Sequence, residues 1–334
     1  MGFLWRGICG TLLLLGAFGC ARKESAAVET QPASALRRIV FQTDWFPQAE
    51  HGGFYQALEK GYYREAGLEV DILPGGPGAG IKLKVARGDA DFGMLKSDDV
   101  IVSSARGMPL VMIMATMQHD PQALLVHADS PVKTLRDLDG RTVSAAPGMT
   151  WIPAVQKKYG IQFNLVPHTY GMELFLANSA AIQQCIVTSE PFIAQQRGKK
   201  VRTLSLAESG YDCYPVVFSR RELLRDRPEV ARAFVAASIR GWRDYLENDP
   251  APAHALILRR NAQMTAELLA FSRGEMIRLS LVQGDRAKGE DIGRLSLERI
   301  ADQMQTLLEF KVLDASVAVS SVVRTDFLPT ADQP

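Results

Sequence analysis

The stretch Gln42-Thr43-Asp44-Trp45-Phe46-Pro47-Gln48-Ala49-Glu50-His51-Gly52-Gly53-Phe54-Tyr55 decides the fold. Before it, Ile39-Val40-Phe41 reads as a short apolar strand. After it, Phe54 to Tyr63 reads as a helix, with Phe54, Leu58 and Tyr62 at i, i+4 and i+8. Asp44 to Gly53 is then a strand-to-helix turn, and in open α/β sheets ligands gather outside the carboxyl ends of the strands. Trp45 offers a flat stacking face, Asp44 an acceptor for ligand N–H groups, and His51 a neutral donor or acceptor. Pro47 stiffens the turn, while Gly52 and Gly53 are expected to let a ligand approach the backbone. Singly, such residues read as a core Trp, a capping Asp and a surface His; crowded into one turn, they read equally as a binding site.

Toward the N-terminus, Arg6 is followed by the apolar run Thr11 to Phe18, a basic then apolar pattern too short to span a bilayer and typical of an export signal. The junction Gly19-Cys20-Ala21 resembles a bacterial lipoprotein signal, which implies acylation of Cys20 after removal of residues 1–19. Ala17 stands where such signals usually carry leucine, and an ordinary cleaved signal peptide is the alternative. Residues 20–37 lack periodicity and read as a flexible tether. The remaining chain of about 300 residues exceeds what one core usually serves, so two lobes are expected.

The 38 basic residues nearly balance the 37 acidic ones, which gives no sign of a nucleic-acid partner or of binding to an anionic surface. No stretch outside the signal is long enough for a transmembrane helix. Cys185 and Cys213 remain once the signal's cysteines are set aside; a disulfide and two buried thiols are both open readings. No spacing of metal ligands stands out, and neither a metal nor a cofactor is expected.

Leu68, Val70 and Ile72 alternate as a second strand, followed by the glycine-rich 74–80, read as a packing loop. Gly88-Asp89-Ala90-Asp91-Phe92-Gly93 leads to Lys96, with Ser97 as an N-cap of the next helix. Ser130-Pro131 is taken as the crossing into a second lobe. There, Gly148-Met149-Thr150 precedes a helix whose N-terminal N–H groups favour an anion. Trp151 reads as either a ring cover or a core residue. Glu190-Pro191 follows another strand, and Glu190 is a candidate acceptor for a ligand amine or simply a helix N-terminal charge. Tyr214, just before the return strand, is counted among the candidate ligand contacts. Beyond Arg220 the chain reads as helices with core stripes.

Asp-Trp-Phe-Pro, His-Gly-Gly-Phe-Tyr-Gln-Ala, Glu59-Lys60-Gly61-Tyr62-Tyr63 and Ala66-Gly67-Leu68-Glu69-Val70 resemble the opening of solute-binding proteins that serve ABC importers of thiamine pyrimidine precursors, sulfonates and nitrate. The same pattern opens the yeast-type pyrimidine synthase of thiamine biosynthesis. The resemblance runs through most of the mature chain, including Gly88 to Gly93, Leu135 to Val143 and Glu190-Pro191. It implies an α/β, two-lobe periplasmic-binding-protein type II fold, each lobe a mixed sheet flanked by helices, with the ligand in the interlobe cleft. The expected division is 38–127 for the first part of lobe 1, 128–214 for lobe 2, and 215–334 for the rest of lobe 1. The implied function is capture of a small flat heterocycle, a thiamine pyrimidine precursor first among them, without chemistry. The partners would be an ABC permease and ATPase, the protein a monomer held by a lipid anchor in the periplasm or at the cell surface. Alternatives are a sulfonate or nitrate receptor, a sensor lobe, or a pyrimidine synthase. Lys96 falls where that synthase holds its pyridoxal-like cofactor, but Val100 stands where the synthase has the histidine it consumes.

Overall fold

The computed structural model describes residues 35–329. The expected signal, Cys20 and nearly all of the tether lie outside them; Arg37, assigned above to the tether, is the first residue of a strand. The strands in chain order are β1 (Arg37–Gln42), β2 (Leu68–Leu73), β3 (Phe92–Lys96), β4 (Leu110–Ala115), β5 (Gln122–His127), β6 (Thr142–Ala145), β7 (Asn164–Pro167), β8 (Ile182–Ile186), β9 (Val201–Ser205) and β10 (Pro215–Arg220). They form two five-stranded sheets, ordered β2-β1-β3-β10-β4 and β7-β6-β8-β5-β9. In each, three parallel strands are followed by one antiparallel strand that the crossing chain supplies.

The alternation expected of β2 is present: Leu68, Val70 and Ile72 are buried while Glu69 and Asp71 face water. β1 instead lies inside its sheet, between β2 and β3. The expected helix 54–63 starts earlier and breaks, forming Gly52–Glu59 and Tyr62–Glu65 on either side of Gly61, whose φ is 78°. Pro228 opens the 20-residue helix Pro228–Glu247, which buries Val230, Phe234 and Trp242 in the core on the first sheet, with Phe234 stacked on Phe92 of β3. Ser296 caps helix Leu297–Glu309 by accepting from the N–H of Arg299.

The chain leaves the first sheet earlier than expected. β5 pairs with β8 and β9, so the first crossing is 116–121 and Ser130-Pro131 lies beyond it, already in the second lobe. All six residues of β5 are buried, a pattern that marks an interior strand without saying which sheet it enters. The return crossing runs from the end of β9 to the start of β10.

The two crossings are tied to each other. Asp212, on the return crossing, accepts from the backbone N–H of Asp120 at 2.8 Å and from His119 Nδ1 at 2.7 Å. Glu290 lies 3.2 Å from His119 Nε2, and Arg299 reaches Asp212 Oδ2 at 2.9 Å. The hydrogen bond to Asp212 outweighs partial burial and holds the His119 imidazole above its ordinary pKa.

Candidate functional site

The carboxyl ends of the parallel strands β1, β3, β6 and β8 deliver the turns 43–51, 97–99, 146–150 and 187–190 to the boundary between the lobes. These are the turns the sequence marks, and the structure sorts them into two clusters.

The first cluster is built on the turn after β1. Gln42 is buried, and its amide donates to the carbonyls of Leu73 and Pro74, at 3.2 and 2.7 Å. The glycine-rich loop closes beneath the turn, with Gly75 N donating to Trp45 O and Gly76 N to Asp44 O. A Cβ on Gly75 would stand 2.6 Å from the Asp44 carbonyl oxygen and closer still to that of Thr43. The loop is therefore a packing loop.

On this frame, His51 Nε2 donates to Asp44 Oδ1 at 2.7 Å. His51 is fully buried, so it aims Asp44, whose side chain stays 39% exposed, and offers no surface of its own. Gly52 and Gly53 serve a different end from the one expected. They lie in the first turn of helix 52–59, where a Cβ would collide with the rings of Tyr245 and Trp242. They permit helix–helix contact and do not receive a ligand. Trp45 is half-buried, and its ring faces Tyr170 of the second lobe with centroids 5.4 Å apart. Tyr170 is exposed and holds a left-handed φ of 60°, an uncommon conformation for a tyrosine.

Glu50 and Thr188 extend this cluster. Glu50 is buried, accepts from the Thr188 hydroxyl across the lobe boundary, and has its carboxyl pushed up by burial. Thr188 O in turn accepts from Ser272 Oγ at 2.6 Å. Glu190 also has a carboxyl pushed up by burial, but its recorded bonds turn back onto its own junction, from Ile186 N and Ser189 Oγ at 2.9 and 2.7 Å. Sequence reasoning missed Glu50, Tyr170 and Thr188; the one local signal was a carboxyl inside the marked turn, beside His51.

The second cluster surrounds a cavity of about 220 Å³ that Lys96, Gly148, Met149 and Thr150 line together with Asp98, Asp99, Asp120, Gln122, Tyr211 and Cys213. Lys96, and not Ser97, is the N-cap of helix Ser97–Ala105; Ser97 Oγ instead donates to Gln303 at 2.6 Å. Burial works most strongly against the Lys96 ammonium, but Asp120, with which it forms an ion pair, together with Cys213 and Asp98 holds the pKa above the ordinary range. Thr150 opens helix Trp151–Tyr159 and donates to Asp98 of the first lobe. Trp151 is buried among apolar residues, with its indole N–H 3.4 Å from Gln184. Tyr214 is buried away from this cavity, with Arg299 stacked 3.8 Å above its ring. Tyr211 and Cys213 take the places expected of it. Cys185 and Cys213 are free buried thiols in separate apolar clusters. Among the described residues, no group of three or more His, Cys, Asp or Glu side chains is placed to hold a metal.

Of the nine candidate ligand contacts, the cavity therefore gathers Lys96, Gly148, Met149 and Thr150. Asp44, Trp45 and His51 form the neighbouring cluster, while Glu190 caps its own turn and Tyr214 is buried apart. Trp45 and Tyr170 present rings tilted 42° to each other, with the acceptor Asp44 beside Trp45. Burial pushes the Cys213 thiol well above its ordinary pKa.

The chain is 25% identical over 251 residues to the formylaminopyrimidine-binding protein of Halalkalibacterium halodurans, covering 71% of this chain and 76% of that one. It is 24% identical over 271 residues to the riboflavin-binding protein RibY of Chloroflexus aurantiacus, covering 72% and 73%. The 4-amino-5-hydroxymethyl-2-methylpyrimidine phosphate synthase of Legionella pneumophila is 23% identical over 323 residues, covering 89% and 94%. Among solved structures, the periplasmic aliphatic sulphonate binding protein SsuA of Escherichia coli matches with a TM-score of 0.64 at 16% identity, covering 90% of this chain and 96% of that one. The fold is thus the two-lobe α/β fold of periplasmic binding proteins. With the family model described as "NMT1/THI5 like" matching residues 48–253, the chain belongs to that family.

Proposed function

We propose that the chain is the solute-binding component of an ABC importer. It is exported, tethered through Cys20, and captures a flat, nitrogen-rich heterocycle of the thiamine pyrimidine precursor class between its lobes. One observation carries the ligand class: Trp45 and Tyr170, one from each lobe, present rings to each other beside an acceptor, Asp44, that a buried histidine fixes in place. The rings now touch at a tilt of 42°, so a planar ring enters as they separate, stacks on Trp45 and brings its amino group to Asp44. The pyrimidine-binding relative supports this reading, and so does the flavin-binding one, since both names point to flat nitrogen heterocycles. Contacts such as Glu50 to Thr188 and Trp45 to Tyr170 form only when the lobes approach. Closure about the two crossings is thus coupled to capture. Handing the closed form to a permease completes the role, and no bond is made or broken.

A synthase on the same fold is the second reading, favoured by the near full-length Legionella relative and by Lys96 on the cavity wall. Against it, the Lys96 ammonium is paired with Asp120, and Val100 is fully buried in the apolar core. Titration with 4-amino-5-hydroxymethyl-2-methylpyrimidine, its formylamino analogue, riboflavin and an alkanesulfonate, followed by melting temperature and calorimetry, tests the receptor reading. A pyrimidine at a hundred times its dissociation constant should add about 2.7 kcal/mol of stability. Binding of the sulfonate alone, or turnover of pyridoxal phosphate, would overturn it.

A further inference from the structure

The N-cap of helix 151–159 is tied to a carboxylate of the opposite lobe. Loop Gly148-Met149-Thr150 brings that end to the cavity, and a helix N-terminus there ordinarily suits an anion. The side chain of its N-cap, Thr150, meets Asp98, in the first turn of helix 97–105 on the opposite lobe. Asp98 is 5% exposed, and its Oδ2 accepts from the Thr150 hydroxyl and from the Tyr211 hydroxyl at 3.2 Å. Its Oδ1 accepts from Asp99 N at 2.9 Å. The nearby cations are largely committed: Lys82 pairs with Asp99 at 3.2 Å, and Lys96 pairs with Asp120. Arg106 also lines the cavity but is exposed to water.

We propose that Asp98 sets the charge selectivity of the cleft, holding the place an anionic solute would take and restricting capture to neutral or cationic solutes. This rests on the reading that the cleft receives a small solute. An anion arriving at the loop faces a fixed carboxylate already satisfied by two hydroxyls. It must displace that carboxylate or sit beside it, where like charges repel. Neutral ring nitrogens and amino groups meet no such opposition.

The experiment uses the full chain and inorganic sulfate and phosphate as probes, titrated by calorimetry and thermal shift against sodium chloride of matched ionic strength. The unsubstituted protein should show no saturable anion binding. Asp98→Asn and Asp98→Ser should gain it, tighter by at least about tenfold, which is about 1.4 kcal/mol. Thr150→Val leaves the carboxylate in place and should stay blind to both anions. Saturable anion binding by the unsubstituted chain, or folded Asp98 variants that remain blind, would overturn the proposal. The serine variant guards against an asparagine that fails to fold. An aminopyrimidine that fails to bind would strike the proposed ligand and leave this result untouched, since the readout here is the anions alone.

Discussion

The two walls of the cleft are built on the same plan, a strand, a turn and a helix, but are held in different ways. The first-lobe wall, residues 42–53, is fixed by its own lobe: the Gln42 amide, the Gly75–Gly76 loop beneath, the His51–Asp44 bond, and Tyr245 and Trp242 against the glycines. The second-lobe wall, residues 145–151, has fewer such ties. Gln184 holds Ala146 and Trp151, but the polar tip at Thr150 finds its partner in Asp98 across the boundary. One wall is held from within its own lobe; the tip of the other is held by a contact across the boundary. Stacking draws on both lobes through Trp45 and Tyr170, and so does the charge filter, because Asp98 of the first lobe meets Thr150 of the second.

Two glycines test this difference most directly. A Cβ on Gly75 would press on the Thr43 and Asp44 carbonyls, while one on Gly148 meets nothing within 4 Å. Gly75→Ala should therefore cost about 3 kcal/mol, at the upper end for overpacking, and should misplace Asp44 and Trp45. Gly148→Ala carries only the strain of its φ of 78°, about 1–2 kcal/mol. Chemical denaturation of the two variants would break the comparison if the costs were equal or reversed.

Trp45→Ala comes next. The ring is half-buried against Phe46 and Tyr170, outside the apolar cores, so the fold should keep most of its melting temperature. Ligand affinity should fall by about tenfold to a hundredfold, or about 1.4–2.8 kcal/mol, through lost stacking and burial. A large melting shift with unchanged affinity would move Trp45 into the core and out of the site.

The smallest effect concerns the hinge, which belongs to neither wall. His119 is raised by its bond to Asp212, with Glu290 favouring its charge and Arg299 opposing it. A raised folded-state pKa stabilises the protonated form. That contribution is complete below the unfolded value of about 6.5 and is lost as pH climbs through the folded value. Melting temperature should decline across that window, and His119→Gln should flatten the decline. A profile unchanged by the substitution would show that the ties to Asp212 do not depend on the imidazole's charge.

Local sequence determined a good deal. The alternation in β2, the strand–turn–helix at Asp44 to His51, Pro228 and Ser296 at helix starts, and the loop before Trp151 were all legible, because each depends on backbone preference or side-chain period within a few residues. The tertiary structure alone decided the rest. β5 joins the second sheet although its apolar run Ala123–Val126 fits either one, and that choice moves the lobe boundary ahead of Ser130. Gly52 and Gly53 turned out to make room for Tyr245 and Trp242, nearly two hundred residues away. Glu50, Tyr170 and Asp98 gained their roles from Thr188, Trp45 and Thr150, partners in the opposite lobe. Contacts between lobes follow from how two separately folded sheets meet across a hinge, and no periodicity along the chain encodes that meeting.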